Sequence, residues 1–182
     1  MFLRCPPVPL IWETTHCCSY PKTVTDFAFM NWLKLADEIW HAGDIGITEV
    51  TDELNRLKPL RAVYGNIDDY LVRSSIQEIN TFICEKVKVS MIHIAGKPPY
   101  YNKKSKSLIK KENPKIFICG HSHILKIEFD KINNVLYLNP GAAGRHGFHN
   151  KRTMIRFEIN ENNIEQMEVI ELGNRSKLPQ SI

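Results

Sequence analysis

Phe117-Ile118-Cys119-Gly120-His121-Ser122-His123-Ile124-Leu125 is an apolar run that breaks at a glycine into two histidines one residue apart, then resumes. The residues leading into it, Lys115-Ile116-Phe117-Ile118-Cys119, are short, apolar and β-rich, as a buried strand should be. Gly120 ends that strand and lets the backbone turn sharply. Two imidazoles separated by one residue can then converge on a shared centre, which is metal-ligand spacing at a strand end. Taken alone, a His-x-His more often marks hydrogen-bonded surface residues, so the weight of this reading lies with its companions.

Working outward, the same plan of strand, glycine and polar side chain occurs twice upstream. Ile39-Trp40-His41 runs into Ala42-Gly43-Asp44, and Leu60-Arg61-Ala62-Val63-Tyr64 runs into Gly65-Asn66-Ile67-Asp68. A helical pattern precedes each, from about Val24 to Leu35 and from Val50 to Leu57, the second stopped by Pro59. Phe82 to Ile94 alternates as a pair of strands with His93 near the end of the second. Pro98 to Asn102 reads as a loop, and Lys103 to Lys111, with five lysines, as a short helix with a solvated basic face. Downstream, Lys126 to Asp130 and Val135 to Leu138 flank the hairpin turn Asn133-Asn134, Asn139-Pro140-Gly141 closes that pair, and Thr153 to Ile159 with Ile164 to Leu172 form a last hairpin.

The first 22 residues are an atypical segment. Leu10-Ile11-Trp12 suits a strand, but Pro6, Pro7 and Pro9 argue against a long central one, because each removes a ladder donor. Glu13-Thr14-Thr15-His16 then offers a second group of ligands. His41 reads as a packed strand residue, Asp68 as a residue able to orient Asn66 or a metal-bound water or, with Asp69 beside it, as ordinary turn chemistry, and His146 and His149, just after Asn139-Pro140-Gly141, as candidates to line a substrate pocket.

At 182 residues with a formal charge of +4, the chain suits one domain, 1–182, and nothing in its charge calls for nucleic acid or a membrane surface. Five cysteines without a Cys-x-x-Cys pair argue against a disulfide framework or thiolate zinc site and for a reducing, cytoplasmic setting. No apolar run approaches the ~20 residues of a membrane span. Helices alternating with strands in the first half and hairpins in the second predict an α/β fold with two mixed sheets packed together. Asp44, Asn66, His93, His121 and His123 all fall at or just after strand ends, where open α/β sheets place their sites.

Gly43-Asp44, Gly65-Asn66-x-Asp68, His93, Gly120-His121-x-His123 and Asn139-Pro140-Gly141 resemble, in order and spacing, the motifs of the calcineurin-like metallophosphoesterases, in particular the small YfcE-type phosphodiesterase branch. The likeness runs from about Ala36 to Leu172. It implies a four-layer αββα sandwich of two mixed β-sheets flanked by helices, with a two-metal centre. In that pattern Asp44 bridges both ions, Asn66, His93 and His121 belong to one, and His123 joins the first-motif residues, here Glu13 and His16, on the other. Mn²⁺ is the leading occupant, with Fe, Zn²⁺ or Ni²⁺ as alternatives. Two such ions, roughly 3.5–4 Å apart, share a bridging water, lower its pKa toward ~7 and clamp the phosphate oxygens. The implied activity is hydrolysis of a small phosphate ester, a phosphodiester before a monoester, with Asn66 facing the phosphate and a homo-oligomer left open.

Two positions depart from the family pattern. The first motif, Asp-x-His in the family, is one residue longer here, with Thr14 at the spacing of the Asp. Ile67 stands where many relatives carry a His able to protonate the leaving group. The alternative is therefore a catalytically weak or inactive protein-binding scaffold on the same fold, like the retromer small subunit.

Overall fold

The computed structural model describes residues 7–12, 27–144 and 150–174. In chain order these form β1 (Pro9–Trp12), α1 (Phe27–Leu35), β2 (Glu38–His41), α2 (Thr48–Leu57), β3 (Leu60–Ala62), α3 (Tyr70–Ser75), β4 (Ile79–Cys84), β5 (Val87–Ile92), β6 (Gly96–Lys97), β7 (Tyr100–Tyr101), α4 (Lys103–Glu112), β8 (Ile116–Ile118), β9 (Leu125–Asp130), β10 (Val135–Pro140), β11 (Lys151–Asn160) and β12 (Asn163–Asn174). They build two five-stranded mixed sheets, ordered β12-β11-β1-β2-β3 and β4-β5-β8-β10-β9, with β6 and β7 as a small separate ribbon. Within the first sheet β1, β2 and β3 run parallel, and within the second so do β5, β8 and β10.

The alternation of side chains along each strand assigns the layers. Leu10, Trp12 and Ile39 point to one face of the first sheet, where Leu33 of α1, Val50 and Leu54 of α2 and Val72 of α3 cover them. Ile11 and Trp40 point to the other face and meet Val89, Met91, Ile116, Ile118 and Leu138 of the second sheet. Phe117, between Ile116 and Ile118, faces outward against Leu108 and Ile109 of α4. The result is helix, sheet, sheet, helix. Trp40 is the pivot between the sheets, fully buried and edge-on to Phe82 at 5.0 Å and Phe157 at 5.7 Å. Truncating such a side chain to alanine costs about 3–5 kcal/mol.

Three details differ from the sequence reading. β1 is short yet central, between β11 and β2. Pro9 is tolerated because it is the first residue of the strand, where the missing donor matters least. Pro98 to Asn102 is not a plain loop, since Tyr100–Tyr101 pairs with Gly96–Lys97. The third is α3, which sequence periodicity does not announce: it is six residues long, buries only Val72, and starts on an Asp69 side chain that accepts from the Val72 amide at 3.0 Å.

Candidate metal centre

The chain turns off the end of β2 through two left-handed residues, Gly43 at φ 106° and Asp44 at φ 57°. The His41 imidazole, wholly buried and edge-on to Trp12, accepts from the Gly43 amide at 3.2 Å through Nδ1. Burial holds the His41 pKa down to about 4, against the pull of the Asp68 and Asp44 charges, so this ring is a neutral support. Glycine is required at 43 for space as well as for φ, because a Cβ there would stand 2.3 Å from Nδ1 of His93. Gly65 plays the same part after β3, where a Cβ would stand 2.1 Å from Asp44 Oδ1 and 2.4 Å from the Asp44 amide nitrogen. The two glycines let three strand ends close to contact distance.

Asp68 locks the first two of those ends together. Its buried carboxylate accepts from the Gly46 amide and from the Gly65 amide, each at 2.7 Å, tying the loop after β2 to the loop after β3. Arg73, on α3, grips the same loop from outside. Its Nε donates to the Asp68 carbonyl at 2.7 Å, its Nη2 to the carbonyls of Asn66 at 2.9 Å and Gly65 at 3.3 Å, and its guanidinium lies 5.0 Å over the Tyr64 ring.

His93 follows β5. Its Nδ1 lies 2.8 Å from the Ala42 carbonyl oxygen, which can only accept, so Nδ1 carries a proton, and in a neutral ring Nε2 is then the bare nitrogen. That nitrogen faces two oxygens, Asn66 Oδ1 at 3.0 Å and Asp44 Oδ1 at 3.2 Å. Three lone-pair-bearing atoms turned on one point repel one another unless a second proton or a cation sits among them. A divalent ion therefore suits these residues.

His121 and His123, beyond β8, both have left-handed backbones, at φ 66° and 56°. Nδ1 of His121 comes to 2.7 Å from the same Asn66 oxygen, with its ring 5.3 Å from that of His93. Nε2 of His123 stands 3.6 Å from Asp44 Oδ2. Asn139, at the end of β10, holds this turn in shape. Its Nδ2 donates to the Gly120 carbonyl at 2.8 Å and to Ser122 Oγ at 3.1 Å, while its Oδ1 accepts from the Gly141 amide at 3.0 Å.

Protonation states follow from this setting. Burial works against the Asp44 charge, but the neighbouring His123 and His93 rings and the Ile67 amide outweigh it and hold the carboxyl well below the usual range. Burial, aided by the neighbouring His93, pushes the His121 pKa down. One fixed carboxylate, one amide oxygen and three imidazoles make an N/O donor set for a borderline divalent cation. Among the described residues no His, Cys, Asp or Glu trio stands as a ready coordination set. The donors touch each other directly, so an ion would have to part them.

Asp44, Asn66, His93, His121 and His123 are thus brought together from strand ends of both sheets. Glu13, His16, His146 and His149 lie outside the described residues. The supports that sequence reasoning missed are Arg73, the Asn139 brace and the backbone partners through which Asp68 acts. Asp68 and Asn139 belong to the motifs already singled out, but their partners are mostly backbone groups, which leave no mark in a sequence. Beside Asn66 and His93 opens a cleft of about 360 Å³, bounded also by Tyr64, Ile94, Arg73 and Lys104.

Comparison with known proteins places this geometry. A profile of the calcineurin-like phosphoesterase superfamily domain matches residues 15–162. A probable metallophosphoesterase of Methanothermobacter thermautotrophicus is 30% identical over 108 residues, which is 57% of this chain and 59% of that relative's length. A structure described as a novel archaeal phosphodiesterase superposes with TM-score 0.69 at 18% identity, over 90% of this chain and 99% of that one. Wild-type Vps29 of Entamoeba histolytica complexed with Zn²⁺ superposes with TM-score 0.66 at 16% identity, over 91% of this chain and 99% of that one. At these identities the two structures speak for the fold alone.

Proposed function

The chain belongs to the calcineurin-like phosphoesterase superfamily, and from that premise we propose that it is a metal-dependent phosphoesterase that hydrolyses a phosphodiester at a two-metal site. The observation that carries this reading is His93 Nε2 facing the Asp44 and Asn66 oxygens, with His121 and His123 closing on the same two side chains. Asp44 would bridge the ions, Asn66, His93 and His121 would hold one, and His123 the other. Mn²⁺ is the first candidate, and the zinc-complexed Vps29 neighbour keeps Zn²⁺ beside it. When bound, such ions supply Lewis-acid stabilisation of the phosphoryl oxygens and a water of lowered pKa.

The chain's own residues do the rest. The His123 and His93 rings and the Ile67 amide around Asp44 keep it ionised, so it does not compete for the proton of the attacking water. The Ala42 carbonyl fixes the His93 tautomer, and Asp68 and Arg73 hold the Asn66 loop so that its amide faces the phosphate. Water adds to phosphorus, one ester P–O bond breaks, and the water's proton ends on the departing alkoxide, giving a monoester and an alcohol. Ile67 carries no proton to give, so this chain should favour esters whose leaving group is already good.

The test is turnover of bis-p-nitrophenyl phosphate and p-nitrophenyl phosphate by the purified full chain, with and without Mn²⁺. Metal-dependent hydrolysis faster on the diester is expected. Metal bound without turnover of either ester would overturn the enzymatic reading in favour of a docking scaffold, which the absence of a proton donor at Ile67 and the Vps29-like fold also suit.

A further inference from the structure

Arg73 is built differently from the other cation of the cleft. Lys104 is salt-bridged to Glu78, whereas Arg73 pairs with no carboxylate among the described residues. Its bonds run only to the carbonyls of Gly65, Asn66 and Asp68 and to the Tyr64 ring face. A guanidinium has five donors. Nε and Nη2 are used by those three carbonyls, which leaves both Nη1 hydrogens unassigned on a group whose position is fixed from behind. The plane of the fork is preset, so little further entropy is lost when an anion docks. This charge stands on the wall of the cleft that opens beside Asn66 and His93, with Tyr64, Ile92 and Ile94 as the apolar part of that wall.

We propose that the cleft receives one ester arm of the substrate and that Arg73, through Nη1, binds an anionic group carried by that arm. The preferred substrates are then phosphodiesters with a further phosphate or carboxylate on one arm. A cleft of about 360 Å³ lies within the ordinary range for a small-molecule site. The inference rests on the phosphodiesterase reading above and deepens it.

Two substrates that differ by one phosphate test it. These are thymidine 5′-(p-nitrophenyl phosphate) and its 3′-phosphorylated counterpart, which share the reacting ester. The wild-type chain with Mn²⁺ is expected to show a KM about tenfold lower for the 3′-phosphorylated diester, the usual effect of one charge-assisted contact. Arg73→Gln should erase that ratio and Arg73→Lys should keep part of it. The ratio matters because loosening the Asn66 loop would slow both substrates alike. Equal KM values in the wild type, or an unchanged ratio in Arg73→Gln, overturn the proposal. If neither diester is hydrolysed, the phosphodiesterase reading fails by itself. Calorimetric titration with thymidine 3′,5′-bisphosphate against thymidine 5′-phosphate then still decides for Arg73. Tighter binding of the bisphosphate that is lost in Arg73→Gln supports the site, and equal binding removes it.

Discussion

Gly65→Ala adds one methyl group at the point where the loop after β3 meets Asp44. The new Cβ would lie 2.1 Å from Asp44 Oδ1 and 2.4 Å from the Asp44 amide nitrogen, where real Cβ atoms essentially never come within 3.0 Å. The carboxylate can rotate away, but the amide is backbone and must retreat by about 0.6 Å to restore that distance. Ligand positions tolerate only about 0.2 Å, so the substitution moves Asp44, the candidate ligand, by several times that tolerance. Overpacking of this kind costs about 1–3 kcal/mol, or roughly 2–12 °C in Tm for a chain of this size. The expected result is a modest fall in Tm with Mn²⁺ affinity down at least about tenfold, the size seen when the surroundings of a metal ligand are disturbed. Calorimetric titration of Mn²⁺ measures the second and thermal unfolding the first. Gly173→Ala is the control: its φ of 95° is unfavourable for alanine but nothing lies within 4 Å of the new Cβ, so it should cost about 1–2 kcal/mol and leave metal affinity alone. Wild-type Mn²⁺ affinity in Gly65→Ala would refute the claim that this contact sets the position of Asp44.

Asp44→Asn removes the only carboxylate facing both His93 and His123 among the described residues and should abolish the proposed two-metal state, which elemental analysis per chain will read. For His41, the folded pKa of about 4 lies below its ordinary 6.5, so between those values the unfolded chain binds the extra proton. Its contribution is present above pH 6.5 and is lost as pH falls toward 4, by about 2 kcal/mol at pH 5. Urea midpoints at pH 7.5 and 5.0 should show this component in the wild type and not in His41→Gln. Thr14→Asp with Glu13→Ser restores the family's two-residue spacing to His16 and should raise both metal content and Mn²⁺-stimulated turnover; no gain in either would mean that Glu13 and His16 already suffice.

What could be read from the sequence followed from punctuation. Gly43, Gly65 and Gly120 each interrupt an apolar strand and are followed at once by a polar side chain, so Asp44, Asn66, His121 and His123 stood out as residues at strand ends. What could not be read was long-range. That His93 meets Asp44 depends on two sheets stacking through Trp40 and Met91, and no local pattern states which strand end faces which. Asp68 looked like turn chemistry because its partners, the Gly46 and Gly65 amides, carry no side-chain signature. Leu10-Ile11-Trp12 suited a strand, but Pro6, Pro7 and Pro9 hid its central place, although a four-residue strand paired on both sides needs only its first position to tolerate a proline. The short α3 buries a single residue and so presents no helical period.

The distribution of backbone strain ties these supports to the chemistry. The non-glycine residues with positive φ include Glu85, Asn134 and Glu161 in hairpin turns, Asn113 at the end of α4 and Gln166 at an irregularity in β12. Such positions are expected at reversals of the chain. Asp44, His121 and His123 complete the set, and all three are candidate ligands. Left-handed geometry costs a non-glycine residue roughly 1–2 kcal/mol, and it persists only where the surroundings over-determine it. Here the surroundings are the Asp68 clasp on the loops after β2 and β3, the Arg73 grip on the Asn66 carbonyl and the Asn139 brace across Gly120, Ser122 and Gly141. The braces act mainly on backbone and on none of the five candidate donor atoms, so the donor side chains remain turned toward one another. Loss of a brace should therefore loosen ligand geometry before it unfolds either sheet, since the cores on both sides of the first sheet and beneath α4 are built from other residues.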